Sequence, residues 1–159
     1  MPIEGQYTRL REECGEAVPF AGPAKVFAID GGERRFVAIE GTNAGDVERA
    51  ARGYLRVLQE ITAEAEEPMM NIIAWFDAAQ WTVLIFPRAK HRPSFFFAEG
   101  DERLLISPAA VDLGGVSITP VEADFRKVRH DHLVTMFHEV LLSKSEFRES
   151  TTNTLSPSP

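Results

Sequence analysis

"MMNIIAWFDAAQWTVLIFPR", residues 69–88, decides the fold. Two runs dense in β-branched and aromatic residues, 71–76 and 81–86, flank a short polar turn, and such side chains suit a pleated, buried surface. The pattern predicts a hairpin of mostly buried strands. Upstream, "KVFAIDGGERRFVAIEG" (25–41) has the same form: apolar runs at 26–29 and 36–39 surround Asp30-Gly31-Gly32, residue types that tolerate the positive φ of tight loops. A second hairpin is expected there.

Between the hairpins, Asn43 is a candidate N-cap and Asp46 places a carboxylate in a first helical turn. Val47, Ala50, Ala51, Tyr54, Leu55, Leu58, Ile61 and Ala65 then recur at helical spacing, which predicts one amphipathic helix ending near Glu66, before Pro68. Residues 1–24 mix Pro2, Gly5, Pro19, Gly22 and Pro23 with charge. They read as an irregular lead-in with at most a short helical turn over 7–13.

Downstream of the opening stretch, "RLLISPAAVDLGGVSITP" (103–120) predicts strands at 104–106 and 116–118. Thr119-Pro120-Val121-Glu122 matches a capping box with proline at the first helical position, so a helix is expected to start there with Phe125 and Val128 on its apolar face. Arg129-His130-Asp131 reads as a break. Leu133, Val134, Phe137, Val140 and Leu141 carry a further helix, and Ser143-x-x-Glu146 repeats the capping pattern. "STTNTLSPSP" (150–159) has nothing to bury and reads as a flexible tail. The order predicts an α+β domain over residues 1–149: an antiparallel sheet with helices packed on one face.

The 159 residues fit one domain, and shares of 44% hydrophobic and 26% charged residues match ordinary globular chains. A formal charge of -7, from seventeen basic and twenty-four acidic residues, has the wrong sign for covering nucleic-acid phosphates. The single cysteine, Cys14, excludes an internal disulfide and suits a reducing compartment. With no signal-peptide pattern and no apolar window of membrane-spanning length, the chain reads as cytoplasmic and independent of membranes.

"FPRAKHRPSFFF" (86–97) gathers Arg88, Lys90, His91, Arg92 and the Ser94 hydroxyl at the end of the second predicted hairpin. Arginine offers a planar fork and lysine a point charge, so the cluster could hold a phosphate. It could equally be a solvated strand end ahead of an aromatic run. Asn71, a polar amide inside "MMNIIAWF", needs either structural partners or a ligand if it is buried. His130 and His132 lack a third ligand nearby, and His138-Glu139 lacks the second histidine of a zinc-protease helix, so no metal site is assigned. The glycine pairs in "DGGERR" and "DLGGVS" lack a P-loop lysine or a dinucleotide fingerprint and read as turns.

The stretch "MNIIAWFDAAQWTVLIFPRAKHRPSFFFAEGDERLLISPAAVDLGGVSITPVEADF", followed by "FHEVLLSKSEFRE", resembles the C-terminal half of the bacterial DUF4922 proteins. These are similar in turn to GDP-hexose phosphorylases such as GDP-L-galactose phosphorylase, within the HIT-like (histidine triad) nucleotidyltransferase group. The resemblance runs from Pro2 to about Glu149 and implies a HIT-like α+β fold. In such enzymes a histidine attacks the α-phosphate of a nucleotide sugar or dinucleotide, giving a nucleotidyl-enzyme intermediate. The family's H-x-H-x-H or H-x-H-x-Q run lies upstream of the region resembled and is not found in these 159 residues.

The resemblance therefore implies the C-terminal portion of a nucleotidyltransferase or phosphorylase, inactive by itself. Arg88, Lys90, His91, Arg92, Ser94 and Asn71 would then help bind a nucleotide or nucleotide sugar, with no catalytic residue and no cofactor assigned. A different expectation is a non-catalytic assembly module whose exposed strand edges form a homodimer or pair with a missing N-terminal half.

Overall fold

The structure is a computed structural model that describes residues 3–63 and 67–152. Both expected hairpins form. The upstream one consists of β2 (Lys25–Ile29) and β3 (Phe36–Gly41), the other of β4 (Met70–Asp77) and β5 (Gln80–Pro87). With β1 (Gly15–Ala17) they make one antiparallel sheet in the order β1-β2-β3-β5-β4. The fold is α+β.

Alternation along β3 shows how the sheet is covered. Val37 and Ile39 join a core with α2 (Ala44–Thr62) and α6 (Lys144–Thr152), while Phe36 and Ala38 join a second core. That second core holds Ile3 and Tyr7 of α1 (Ile3–Cys14), Leu113 of α3 (Ala110–Leu113), and Met136 and Phe137 of α5 (His130–Val140). Helices therefore pack on both faces of the sheet, which corrects the expectation of one. The physical reason is that β3 and β5 are apolar at consecutive positions, so neither of their faces could be left in water.

The expected helix after Asn43 is α2. The Asn43 side chain accepts from the N–H groups of Gly45 (2.8 Å) and Asp46 (3.3 Å), and Val47, Ala50, Tyr54 and Leu58 are buried. The expected extension to Glu66 reaches residues 64–66, outside the described residues. The lead-in is not irregular: residues 3–14 are α1, and β1 pairs with β2. Its charge pattern concealed two anchors, Ile3 at 2% exposure and Tyr7 at 5%.

Two expected strands do not form. Residues 104–106 are irregular, although Leu104 and Ile106 are buried. Their backbone is diverted: the N–H of Leu104 donates to Phe95 O (3.2 Å) and that of Leu105 to the Asp124 carboxylate (2.9 Å). Residues 116–118 are irregular too, because the buried Asp112 accepts from the N–H groups of Ala109 (2.9 Å) and Ile118 (3.1 Å) and folds the segment around α3.

The helix expected from Thr119 begins only at α4 (Glu122–Lys127), and Phe125 lies exposed rather than on a buried face. Ser143 and Glu146 do form the expected box, with Ser143 N–H donating to the glutamate (2.9 Å) and Glu146 N–H to the serine hydroxyl (3.3 Å). The helix it starts, α6, runs to Thr152 and buries Ser150, so the expected tail is helical over its first three residues. Residues 153–159 lie outside the described residues.

Candidate functional site: the basic cluster after β5

The end of β5 is sewn to the end of α5. Ala89 and Lys90 donate their N–H groups to Val140 O (2.8 and 3.2 Å), Leu142 N–H donates to Pro87 O (3.1 Å), and Arg88 bridges Leu141. This attachment satisfies a carbonyl at the C-terminus of α5 that the helix itself leaves open. It also fixes where the basic cluster stands.

Within the cluster, Arg88 is a clamp. The residue is 8% exposed, and its guanidinium donates to Lys90 O (3.2 Å), Asn71 Oδ1 (2.7 Å), Pro108 O (3.0 Å) and His91 O (2.6 Å). All four acceptors are neutral. Among the described residues no carboxylate lies within ion-pair distance, and burial alone pushes the Arg88 pKa below its ordinary value. Asn71 thereby finds a structural partner.

Lys90 and Ser94, both exposed, stand beside Glu139. Ser94 gives the carboxylate its hydroxyl (2.6 Å) and its backbone N–H (2.8 Å), and Lys90 Nζ stands 3.9 Å away. The Ser94 hydroxyl bond holds the Glu139 carboxyl below the usual carboxylate range, with the Ser94 N–H and the Lys90 charge adding to it against the effect of burial. Sequence reasoning missed Glu139, whose only signal is a carboxylate on the helix that carries Val140.

Arg92 and His91 remain free to face a ligand. Arg92 stacks on the half-buried Phe96 ring at 4.1 Å, and Arg92 and His91 are both exposed. With Arg88, Phe97, Ser107 and Pro108 they line a cleft of about 450 Å³. A second cleft of about 470 Å³ lies against Arg88 and His91 on the side of residues 67–70. One exposed arginine, a second that is buried, an imidazole, an aromatic wall and a hydroxyl suit a phosphorylated planar molecule.

The other sequence candidates go elsewhere. His130 Nε2 meets Glu33 at 2.8 Å, and His132 Nδ1 accepts the N–H of Arg129 (3.1 Å) at the start of α5. Cys14 gives its thiol to Leu10 O (2.9 Å), and burial pushes its pKa up, as for an unreactive thiol.

Comparison of the chain with protein-family models, with curated proteins and with solved structures returned no match.

Proposed function

We propose that this chain binds a nucleotide or nucleotide sugar through its phosphates in the cleft between residues 88–97 and 107–108. In this reading it is the ligand-holding part of a HIT-like nucleotidyltransferase or phosphorylase. One observation carries it: Arg88 is buried beside the cleft, its guanidinium bound to four neutral acceptors and, among the described residues, to no counter-ion. A buried cation without a carboxylate leaves a positive potential that an incoming anion relieves. The resemblance of "PRAKHRPS" and its flanks to the DUF4922 proteins, which are similar in turn to GDP-hexose phosphorylases, supports the nucleotide sugar as the ligand class. Since the histidine run of those enzymes is not in this sequence, binding is what is proposed for these residues, and group transfer is not.

The test is calorimetry with GDP, ADP, GDP-glucose and inorganic phosphate. Arg92→Ala and His91→Ala are expected to weaken GDP binding about tenfold each, the loss of one charge-assisted contact. Arg88→Ala is the wrong variant, because it removes the clamp on three carbonyls and loosens the loop itself. Absence of GDP and GDP-glucose binding, or an affinity indifferent to Arg92→Ala, would refute the reading.

A second reading is that the chain assembles as a homodimer, and β4 favours it. This strand is an eight-residue sheet edge with Ile72 and Phe76 exposed at 47% and 55%. An unpaired edge flanked by apolar side chains is a template for a second strand. Sedimentation equilibrium is expected to show a dimer that Ile72→Lys/Phe76→Lys converts to monomer; a wild-type monomer at all concentrations sinks this reading.

A further inference from the structure

At the other end of β5 lies a polar cleft that the phosphate reading does not use. Four residues in direct cross-strand register, Lys25, Glu40, Thr82 and Trp75, form a row across β2, β3, β5 and β4. Helix α1 roofs it with Tyr7 and Arg11, and the open cleft has a volume of about 380 Å³, near the lower end of small-molecule sites. Thr82 and Arg88 are six residues apart, so the two clefts are separated by about 20 Å along the strand.

The floor is built of polar groups that a core would not tolerate without purpose. Glu40 is 7% exposed; it accepts the Tyr7 hydroxyl (2.9 Å) on one oxygen and Arg11 Nη1 (3.2 Å) on the other. Thr82 is 5% exposed, yet among the described residues its hydroxyl has no hydrogen-bond partner. It is also not among the sealed, unpartnered atoms, so it opens into the cleft. A side chain nineteen-twentieths buried with its one polar atom open to a cavity is a group waiting for a partner.

We propose that this cleft binds an uncharged, hydroxyl-rich ring molecule of pyranose size, held between the Glu40–Thr82 floor and the Trp75 indole. Charges of both signs line the cleft: Arg11 is paired with Glu40 on the floor, and the exposed Lys25, Glu4 and Asp77 stand around it, so a ligand of either net charge meets its own sign as well as the opposite one. What the floor still offers is lone pairs on the Glu40 carboxylate, a hydroxyl that both donates and accepts, and the Gln80 amide at the rim. Vicinal hydroxyls pair with such a mixed set, and the indole supplies an apolar surface for the ring's C–H face. The inference does not rest on the phosphate reading.

The experiment titrates the full chain carrying Trp81→Phe, which leaves Trp75 as the sole tryptophan, with glucose, galactose, mannose and cellobiose; glucose 6-phosphate is an anionic control and glycine a zwitterionic one. A saturable fluorescence change is expected with at least one neutral sugar in the millimolar range and none with glycine. Thr82→Val should weaken it about tenfold while Thr82→Ser retains it, since only the hydroxyl distinguishes the pair. Arg92→Ala should leave it unchanged, so this proposal and the phosphate reading fail separately. No saturable response to any neutral sugar, a stronger response to glycine, or equal binding by Thr82→Val would overturn it.

Discussion

The side chain of Glu139 shows what a single residue does here. Its carboxylate ties the 90–94 segment to α5 through Ser94 and Lys90. The Ser94 hydroxyl depresses its pKa, so the tie is fully present above the ordinary carboxylate value of about 4.3 and is lost as pH falls through the lower folded value. The Ser94 amide resonance should therefore titrate with a midpoint below that ordinary value, and Ser94→Ala should raise the Glu139 midpoint towards it. An identical Glu139 midpoint in the two proteins, read by carboxyl-carbon NMR, would show that the hydroxyl does not hold the carboxylate. The basic cluster itself was legible in the sequence. Its partners were not, because Pro108 and Glu139 lie 20 residues from Arg88 and 45 from Ser94 in the chain.

Among the elements, the β4–β5 hairpin was legible because its composition and its central break agree. The turn chemistry was not. Ala78 and Ala79 both sit in the left-handed region, at φ of 47° and 60°, where a Cβ costs about 1 kcal/mol and where asparagine and glycine are the usual residues. Ala78→Asn/Ala79→Gly should therefore stabilise the protein by about 1–2 kcal/mol, seen as a higher urea midpoint at an unchanged slope. A midpoint that stays or falls would mean that the turn relaxes without strain. The misread strands at 104–106 and 116–118 teach the converse. Their apolar pattern was real, but Asp124 and Asp112 captured the backbone N–H groups that a strand would have needed.

For the molecule as a whole, the two ends of the described chain close the two faces of the sheet. Helix α1 covers one face and α6 the other; the sequence predicts at most a short turn over 7–13 for the first and a capping box followed by a tail from residue 150 for the second, because each helix is short and mostly polar. A few anchors decide their docking, and period-based reading has too little signal for those. On the α6 side the anchor is a buried chain of hydrogen bonds: Tyr54 OH to Ser150 Oγ (3.0 Å), then Ser150 Oγ to Phe147 O (2.7 Å), beside the fully buried Phe147. Burial pushes the Tyr54 pKa well up, as it must for a hydroxyl held inside a core. Removing one member strands the other. Ser150→Ala leaves the Tyr54 hydroxyl without its partner and should cost about 1–3 kcal/mol in urea denaturation. Combining it with Tyr54→Phe removes both polar groups, so the double variant should lose less than the sum of the two single losses. Additive losses, or a neutral Ser150→Ala, would mean that α6 contributes no docking through this contact and that residues 150–152 behave as the polar tail their composition suggests.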